Sequence, residues 1–215
     1  IWVCLQGAFG ALTVTMKLFP AIVTLHLLGG MALLALLRAQ SVAYELSEPG
    51  SAGRTELSLL ARRVLVAVVG LVWLQIALGG WVSTNYAVLA CSDFPTCQGS
   101  WWPVMDFSHG FTLWRELGMT HAGDGLPFAA LTAIHYVHRL SAYVVLAAMC
   151  WLAWLLWQTL ATRRTAKGLL LLAGVFVSEL PALRRGQSLT MCGPPHSKQP
   201  WVCEPAPKGF FQGVA

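Results

Sequence analysis

The chain has 215 residues, of which 56% are hydrophobic and 11% are charged, and its mean hydropathy is +0.62. This composition excludes an ordinary water-soluble domain and indicates an integral membrane protein. The net charge of +5 would suit a nucleic-acid binder, but the basic residues cluster in short segments between apolar runs, as cytoplasmic loops of membrane proteins do. We therefore expect a lipid bilayer around the chain and no nucleic acid as a partner.

Four segments almost free of charge predict an all-α transmembrane bundle of about four spans. Residues 1–16 would rise only about 24 Å as a helix, short of a hydrocarbon core of about 30 Å, and are interpreted as a truncated first span. The other spans are predicted at residues 21–37, 64–83 and 140–162. The chain begins inside an apolar run without a methionine, so we expect a fragment of a longer protein.

The basic residues also predict the topology. Residues 40–63 and 163–167 carry most of the arginines near the spans and are predicted to be cytoplasmic, whereas residues 84–131 are long, aromatic and hold a single basic residue, Arg115. We expect a multi-pass protein of the bacterial inner membrane. Residues 168–178 are too short to cross, so the transmembrane region is placed at residues 1–178.

Residues 179–215 differ in composition from the rest of the chain. They are rich in proline and glycine and show no apolar periodicity, which predicts a disordered tail. Either a frameshifted or foreign terminus or a genuine flexible tail would give this composition.

Two histidines and an arginine lie at the start of the last predicted span, in AIHYVHR (residues 133–139). Ionisable side chains are costly inside a bilayer, so His135, His138 and Arg139 indicate a functional site. The alternative is that they are interfacial residues whose polar tips reach water.

A third histidine, His26, lies at a matching depth, since His26 and His138 are both about 9 Å inside the outer boundary of their spans. This pattern suits axial ligation of a haem by neutral imidazole. His135 and His138 cannot both bind one iron, because axial nitrogens approach opposite porphyrin faces. Arg139 could pair with a haem propionate or with a lipid headgroup. A rival hypothesis is a small-metal site, with His135 and His138 on one helix face and a third ligand from elsewhere.

Two further patterns accompany the histidines. LQGAFG (residues 5–10) and LQIALG (residues 74–79) form a weak internal echo that suggests duplicated helical hairpins. Cys91 and Cys97 lie in the segment predicted to face the oxidising side, which favours a disulfide, with a redox-active pair as the alternative.

These residues resemble the haem A synthase family of cytochrome oxidase assembly. The resemblance runs over LQGAFGALTVTMKLFPAIVTLHLLGG (residues 5–30), LQIALGGWVSTNYAVLACSDFPTCQGSWWP (residues 74–103) and AIHYVHRLSA (residues 133–142), and covers about residues 1–177. It implies an eight-helix bundle of two similar halves, each with two histidines around a haem site. One half would hold haem b, and the other would oxidise a methyl group of haem O to the formyl group of haem A. The implied partners are haem O synthase and other assembly proteins of cytochrome oxidase.

The resemblance also implies roles for single residues. His26 matches the later histidine of the first half and His138 the earlier one of the second, so both would bind haem iron. His135 stands where the first half of the family has a glutamate and would only support the ligand. Cys91 and Cys97 match the cysteine pair of the second half.

The chain departs from the family because it lacks counterparts of the first two and last two helices, which leaves one ligand in each half. Three hypotheses follow: an oxidoreductase or a fragment of one, a non-catalytic b-type cytochrome, or an inactive membrane fragment.

Overall fold

The computed structural model describes residues 1–47, 57–120, 122–158, 167–171, 190–193 and 202–205. Its elements in chain order are α1 (Trp2–Thr15), α2 (Pro20–Ser47), α3 (Leu59–Thr84), α4 (Phe107–Gly110), α5 (Phe128–Trp157), β1 (Thr190–Gly193) and β2 (Val202–Pro205). A short 3-10 turn, Ala87–Leu89, follows α3. The chain divides into two compact units, residues 1–173 and 174–215.

Three helices, α2, α3 and α5, are long and apolar enough to cross a membrane, within the part of the chain that the structure describes. Helix α1 is also apolar, but its 14 residues rise only about 21 Å. Large apolar side chains are exposed on the surfaces of the long helices, among them Leu34, Leu37, Val66 and Val144. Such surfaces suit contact with lipid, and the predicted all-α transmembrane fold is confirmed.

The helices of the first unit pack in sequence order, α1 on α2, α2 on α3 and α3 on α5. Lys17 and Leu18 reverse the chain between α1 and α2 with φ values of 50° and 60°. Pro20 then begins α2, where its fixed φ suits a first helical turn. Helices α2 and α3 approach closely at Gly80, because a Cβ atom there would lie 2.9 Å from Cδ2 of Leu27.

Two apolar clusters hold α3 against α5. At the end near the start of α3, the buried residues are Ala61, Val64, Val68, Leu152 and Leu156. At the other end, a second cluster is formed by Trp81, Val82, Ala87 and Ile134. The second cluster lies beside the histidine motif and fixes the register of α5 against α3 at that level.

The segment between α3 and α5 is anchored to the end of α3. Nε1 of Trp81 donates to the carbonyl oxygen of Gly110 in α4 at 2.9 Å. Arg115 is buried, donates to Oδ1 of Asn85 and lies over the Trp81 ring, 5.8 Å from its centre. Arg115 is therefore held inside the protein by Asn85 and Trp81.

The predicted span boundaries differ from the observed helices. The segment predicted as a loop from residue 40 is still helical to Ser47, because it contains no proline or glycine and Arg38 pairs with Glu45 along the helix at 3.3 Å. Helix α5 begins at Phe128 rather than at residue 140, directly after Pro127. His135, His138 and Arg139 therefore lie within the helix, where protein groups satisfy their polar atoms.

The second unit contains a short antiparallel pair of strands. Thr190 of β1 lies opposite Pro205 of β2, and Gly193 lies opposite Val202. Other residues of the predicted tail, residues 179–215, lie outside the described residues. Its predicted disorder stays a prediction.

Candidate functional site

His26 lies against the neighbouring helix α1. A Cβ atom on Gly10 would come 3.3 Å from Cε1 of His26, so the glycine leaves room for the imidazole. Nε2 of Gln6 donates to the carbonyl oxygen of His26 at 3.0 Å. Nδ1 of His26 is buried without a hydrogen-bond partner among the described residues, which is unusual for a ring nitrogen. The His26 ring is therefore positioned by its packing against Gly10 and by the hydrogen bond from Gln6 to its backbone. Its Nδ1 atom makes no hydrogen bond with the described residues.

His138 has a matching environment between α5 and α3. A Cβ atom on Gly79 would lie 3.2 Å from Cε1 of His138. Nε2 of Gln75 lies 3.1 Å from Nδ1 of the same ring and 3.3 Å from the carbonyl oxygen of His138. The hydroxyl of Ser141 contacts Oε1 of Gln75 and lies 2.9 Å from the His138 carbonyl oxygen. One glutamine amide thus bridges the ring, the backbone and a serine.

The two environments repeat one arrangement of residues. In each, a glutamine and a glycine four residues later share one face of a helix and contact a histidine on the partner helix. The pairs are Gln6 with Gly10 and Gln75 with Gly79, which are the residues of the sequence echo. The echo therefore corresponds to a repeated contact, which supports the hypothesis of duplicated hairpins.

His135 is buried one turn from His138, and both of its ring nitrogens face donors. The backbone N–H of Cys91 lies 3.3 Å from Nδ1, and Nε of Arg139 lies 3.2 Å from Nε2. A neutral imidazole accepts at one ring nitrogen and donates at the other, and the Ala87 backbone is a further hydrogen-bond partner of the ring. Since protein groups occupy both nitrogens, His135 has no nitrogen available to a metal ion in this arrangement.

Arg139 is turned towards the cysteine-containing segment. Its Nη1 donates to the carbonyl oxygens of Asp93 at 2.6 Å and Thr96 at 3.2 Å, and its Nη2 donates to that of Cys91 at 3.1 Å. Together with the contact to His135, four of the five N–H groups of the guanidinium have partners. One N–H group of Arg139 remains for the predicted contact with a haem propionate. That contact stays a prediction.

Cys91 and Cys97 are joined by a disulfide. The loop that it closes is organised by Asp93, whose carboxylate accepts from the Thr96 hydroxyl and from the Gly99 N–H at 3.0 Å. Partial burial raises the pKa of Asp93, but the hydrogen bonds from Thr96 and from the Gly99 and Gln98 backbone outweigh it, so the pKa is lowered overall. The carboxylate is therefore charged at neutral pH and keeps the loop in shape.

The small-metal hypothesis gains no support from the geometry. Among the residues that the structure describes, no three His, Cys, Asp or Glu side chains lie close enough to hold one ion. His135 and His138 share a helix face, as expected, but zinc sites need three or four such ligands.

The same environments do fit the chemistry of a haem ligand. His26 and His138 each pack against a glycine that lets the imidazole approach the neighbouring helix, and Nδ1 of His26 has no hydrogen-bond partner among the described residues. Neutral imidazole in apolar surroundings is a ligand that haem iron accepts. His26 and His138 stay the residues that we predict would hold haem.

Sequence reasoning did not assign the residues that surround these histidines. Gln6, Gly10, Gln75 and Gly79 appear only as letters of the echo, although their four-residue spacing is the signal of a shared helix face. Nothing in the sequence indicates Ser141, because a serine in an apolar helix is common.

Comparisons with known proteins agree with one another. The model of the COX15-CtaA family, described as cytochrome oxidase assembly protein, matches residues 1–181. The chain is similar to the heme A synthase of Shewanella oneidensis, with 38% identity over 141 residues that cover 65% of this chain and 42% of that protein. It is similar as well to the heme A synthase of Halalkalibacterium halodurans, with 27% identity over 110 residues that cover 49% and 35%. The chain spans less than half the length of these two relatives, and no solved structure matches it.

Proposed function

Because the chain belongs to the COX15-CtaA family of cytochrome oxidase assembly proteins, we propose that it forms the haem-handling helices of an oxidoreductase that converts haem O to haem A. The family match confirms the resemblance seen in the sequence, and the family is one of oxidoreductases that act in haem A synthesis. The proposal extends the activity named for the relatives to this chain, with haem O as substrate and haem b as resident cofactor.

The observation that carries the proposal is the contrast between the two histidines of α5. Protein donors face both ring nitrogens of His135, whereas Gln75 holds His138 on one side, closer to Nδ1 than to Nε2. We assign His138 as a ligand of haem iron. We assign His135 as the residue that links α5 to the cysteine loop, which is the loop of residues 91–97 closed by the disulfide. Haem iron, when bound, supplies the redox chemistry that oxidises a substrate methyl group.

His26 is assigned as the second iron ligand, in the other hairpin. It stands in the same arrangement of glutamine and glycine as His138, and its Nδ1 is unused. His26 and His138 would each hold a haem together with a residue from another helix. The greater length of the relatives leaves room for such helices.

Arg139 and the cysteine loop form the part of the site that lies beside the first half of α5. The guanidinium ties three loop carbonyl groups to the helix that carries His138. We assign the loop the role of covering this end of the site and excluding water from it, and Arg139 the role of holding it there. The fifth N–H group of Arg139, which has no partner among the described residues, is the donor that would contact a propionate.

The setting of the proposed activity follows from the same reasoning. The chain is a multi-pass membrane protein, and we place it in the bacterial inner membrane with the histidines near the outer face. There it would receive haem O from haem O synthase and pass haem A to cytochrome oxidase assembly.

Haem extraction tests the proposed function. The full chain is produced in a bacterium that makes haem O, purified in detergent and extracted, and the haems are identified by mass. Haem A or its hydroxylated precursor is the expected result. Haem b alone would favour the non-catalytic cytochrome, and a preparation without haem would contradict the proposal for this chain.

A further inference from the structure

Arg115 is a buried cation whose partners in the described part of the chain are neutral. The residue is 3% exposed, its guanidinium lies over the Trp81 ring, and its Nη2 donates to Oδ1 of Asn85. Its Nη1 has only a long contact, 3.5 Å, with the carbonyl oxygen of Met119. No carboxylate among the described residues lies within ion-pair distance of Arg115, and Glu116, its neighbour in the sequence, is exposed.

The charge of Arg115 is therefore buried without an opposite charge beside it. Burial lowers the pKa of Arg115, yet a guanidinium stays protonated in proteins. Buried charges are generally paired, because neutral hydrogen bonds do not offset the cost of removing a charge from water. Of its five N–H groups, three, including that of Nε, have no hydrogen-bond partner among the described residues. The guanidinium thus has both the charge and the donors to hold an anion.

A cavity of about 240 Å³ lies beside this guanidinium. Its lining contains no acidic residue and consists of Ser108, His109, Thr112, Arg115, Thr120 and Ala122. The Thr120 hydroxyl accepts from the Asp124 N–H at 3.2 Å, so its own proton is free to be donated. Nδ1 of His109 bonds to Asp106 at 2.6 Å, which leaves Nε2 as a further donor when the ring is protonated.

We propose that this cavity binds a phosphate group, with the Arg115 guanidinium neutralising the anion and the Thr120 hydroxyl donating to it. A phosphate group has several strong acceptor oxygens, and guanidinium groups bind it through charge-assisted hydrogen bonds. The inference does not depend on the proposed function, because no haem ligand takes part in it.

The position of the cavity indicates two sources for the phosphate, a lipid headgroup and free phosphate. Trp81 and Asn85 hold Arg115 at the C-terminal end of α3, which is predicted to lie at the outer membrane boundary. Exposed apolar side chains adjoin the lining residues in the sequence, namely Phe107, Leu113 and Trp114. Such side chains suit contact with the glycerol and acyl groups of a lipid whose phosphate enters the cavity.

Native mass spectrometry of the purified full chain in detergent tests the site. The probes are inorganic phosphate, dihexanoyl phosphatidylglycerol, and dihexanoylglycerol, which has the same acyl chains without the phosphate. Arg115→Gln should bind the phosphate-bearing probes at least about tenfold less tightly, the factor that corresponds to one charge-assisted hydrogen bond. Arg63→Gln is the matched control, because Arg63 is exposed near the other end of α3.

A second pair of variants leaves the buried arginine in place. Ala122 is exposed and lines the cavity, so Ala122→Glu puts a carboxylate beside the site and should weaken phosphate binding at least about tenfold. Ala122→Gln has the same size without the charge and should bind within about threefold of the unsubstituted chain.

The results separate the two sources and decide the inference. Binding that is lost in Arg115→Gln assigns the site to a lipid headgroup if phosphatidylglycerol binds more tightly than inorganic phosphate, and to free phosphate if it does not. No binding of either phosphate-bearing probe, equally tight binding of dihexanoylglycerol, or no effect of Arg115→Gln would overturn the inference. If Arg115→Gln does not accumulate, the Ala122 pair decides: weaker binding in the Glu variant supports the site, and equal binding in both variants overturns it.

Discussion

Replacing Arg139 by methionine should loosen the cysteine loop without breaking its disulfide. Methionine keeps most of the apolar length of the side chain but removes the donors to Cys91, Asp93 and Thr96. Taking about 1 kcal/mol net for each of the three hydrogen bonds gives a loss of about 3 kcal/mol in the free energy of loop opening. This value lies below the range of about 1.5–3 kcal/mol for charged donors and is used because the guanidinium is only half-buried.

Hydrogen exchange measures this change directly. The Cys97 amide bonds to the Ser100 carbonyl oxygen at 2.9 Å and is protected only while the loop is closed. Since 1.4 kcal/mol corresponds to a factor of ten, its exchange should become up to about 100-fold faster in Arg139→Met. Arg38→Met is the control, because Arg38 lies in an exposed ion pair, and such pairs contribute about 0–1 kcal/mol. Exchange less than about threefold faster in Arg139→Met would show that the disulfide alone holds the loop.

Three further predictions concern the C-terminal end of α2 and the segment between α3 and α5. Peptide mapping without reduction should find Cys91 linked to Cys97, and a free Cys91 thiol would contradict the observed pairing. A cysteine introduced at Ser47 should react with a membrane-impermeant probe only after the cells are opened, whereas one at Ser108 should react in intact cells; the reverse would refute the topology. Hydrogen bonds from Ser108 and His109 lower the pKa of Asp106 to about 2, so its carboxyl carbon resonance should titrate near that value, and the stability that Asp106 adds should be present above about pH 4 and lost towards pH 2. A titration midpoint near the usual 3.8 would contradict this.

The helices could be predicted from the sequence because hydropathy and length determine a membrane span. The boundaries could not, since hydropathy penalises His135, His138 and Arg139 and therefore places the start of α5 too late. In the structure these residues stay helical because protein groups satisfy them, including the carbonyls of a loop more than 40 positions away. Such long-range partners leave no local trace in the sequence.

The sequence predicts His26 and His138 as site residues, but it does not predict their different environments. Depth in the membrane and sequence spacing indicate His26 and His138. The contact between Gln75 and the His138 ring, however, depends on how α3 packs against α5. The echo contains both glutamines and does not show that Gln6 donates to the carbonyl oxygen of its histidine whereas Gln75 contacts both the carbonyl oxygen and the ring. Only the packing of the helices distinguishes them.

The central claim is that His138 binds haem iron while His135 only supports the site. The most direct measurement compares haem content and the visible absorption spectrum of the purified full chain with those of His138→Ala and His135→Ala. We predict that the haem spectrum is lost or strongly changed in His138→Ala and only mildly changed in His135→Ala. Equal loss in both variants, or loss in His135→Ala alone, would contradict the assignment.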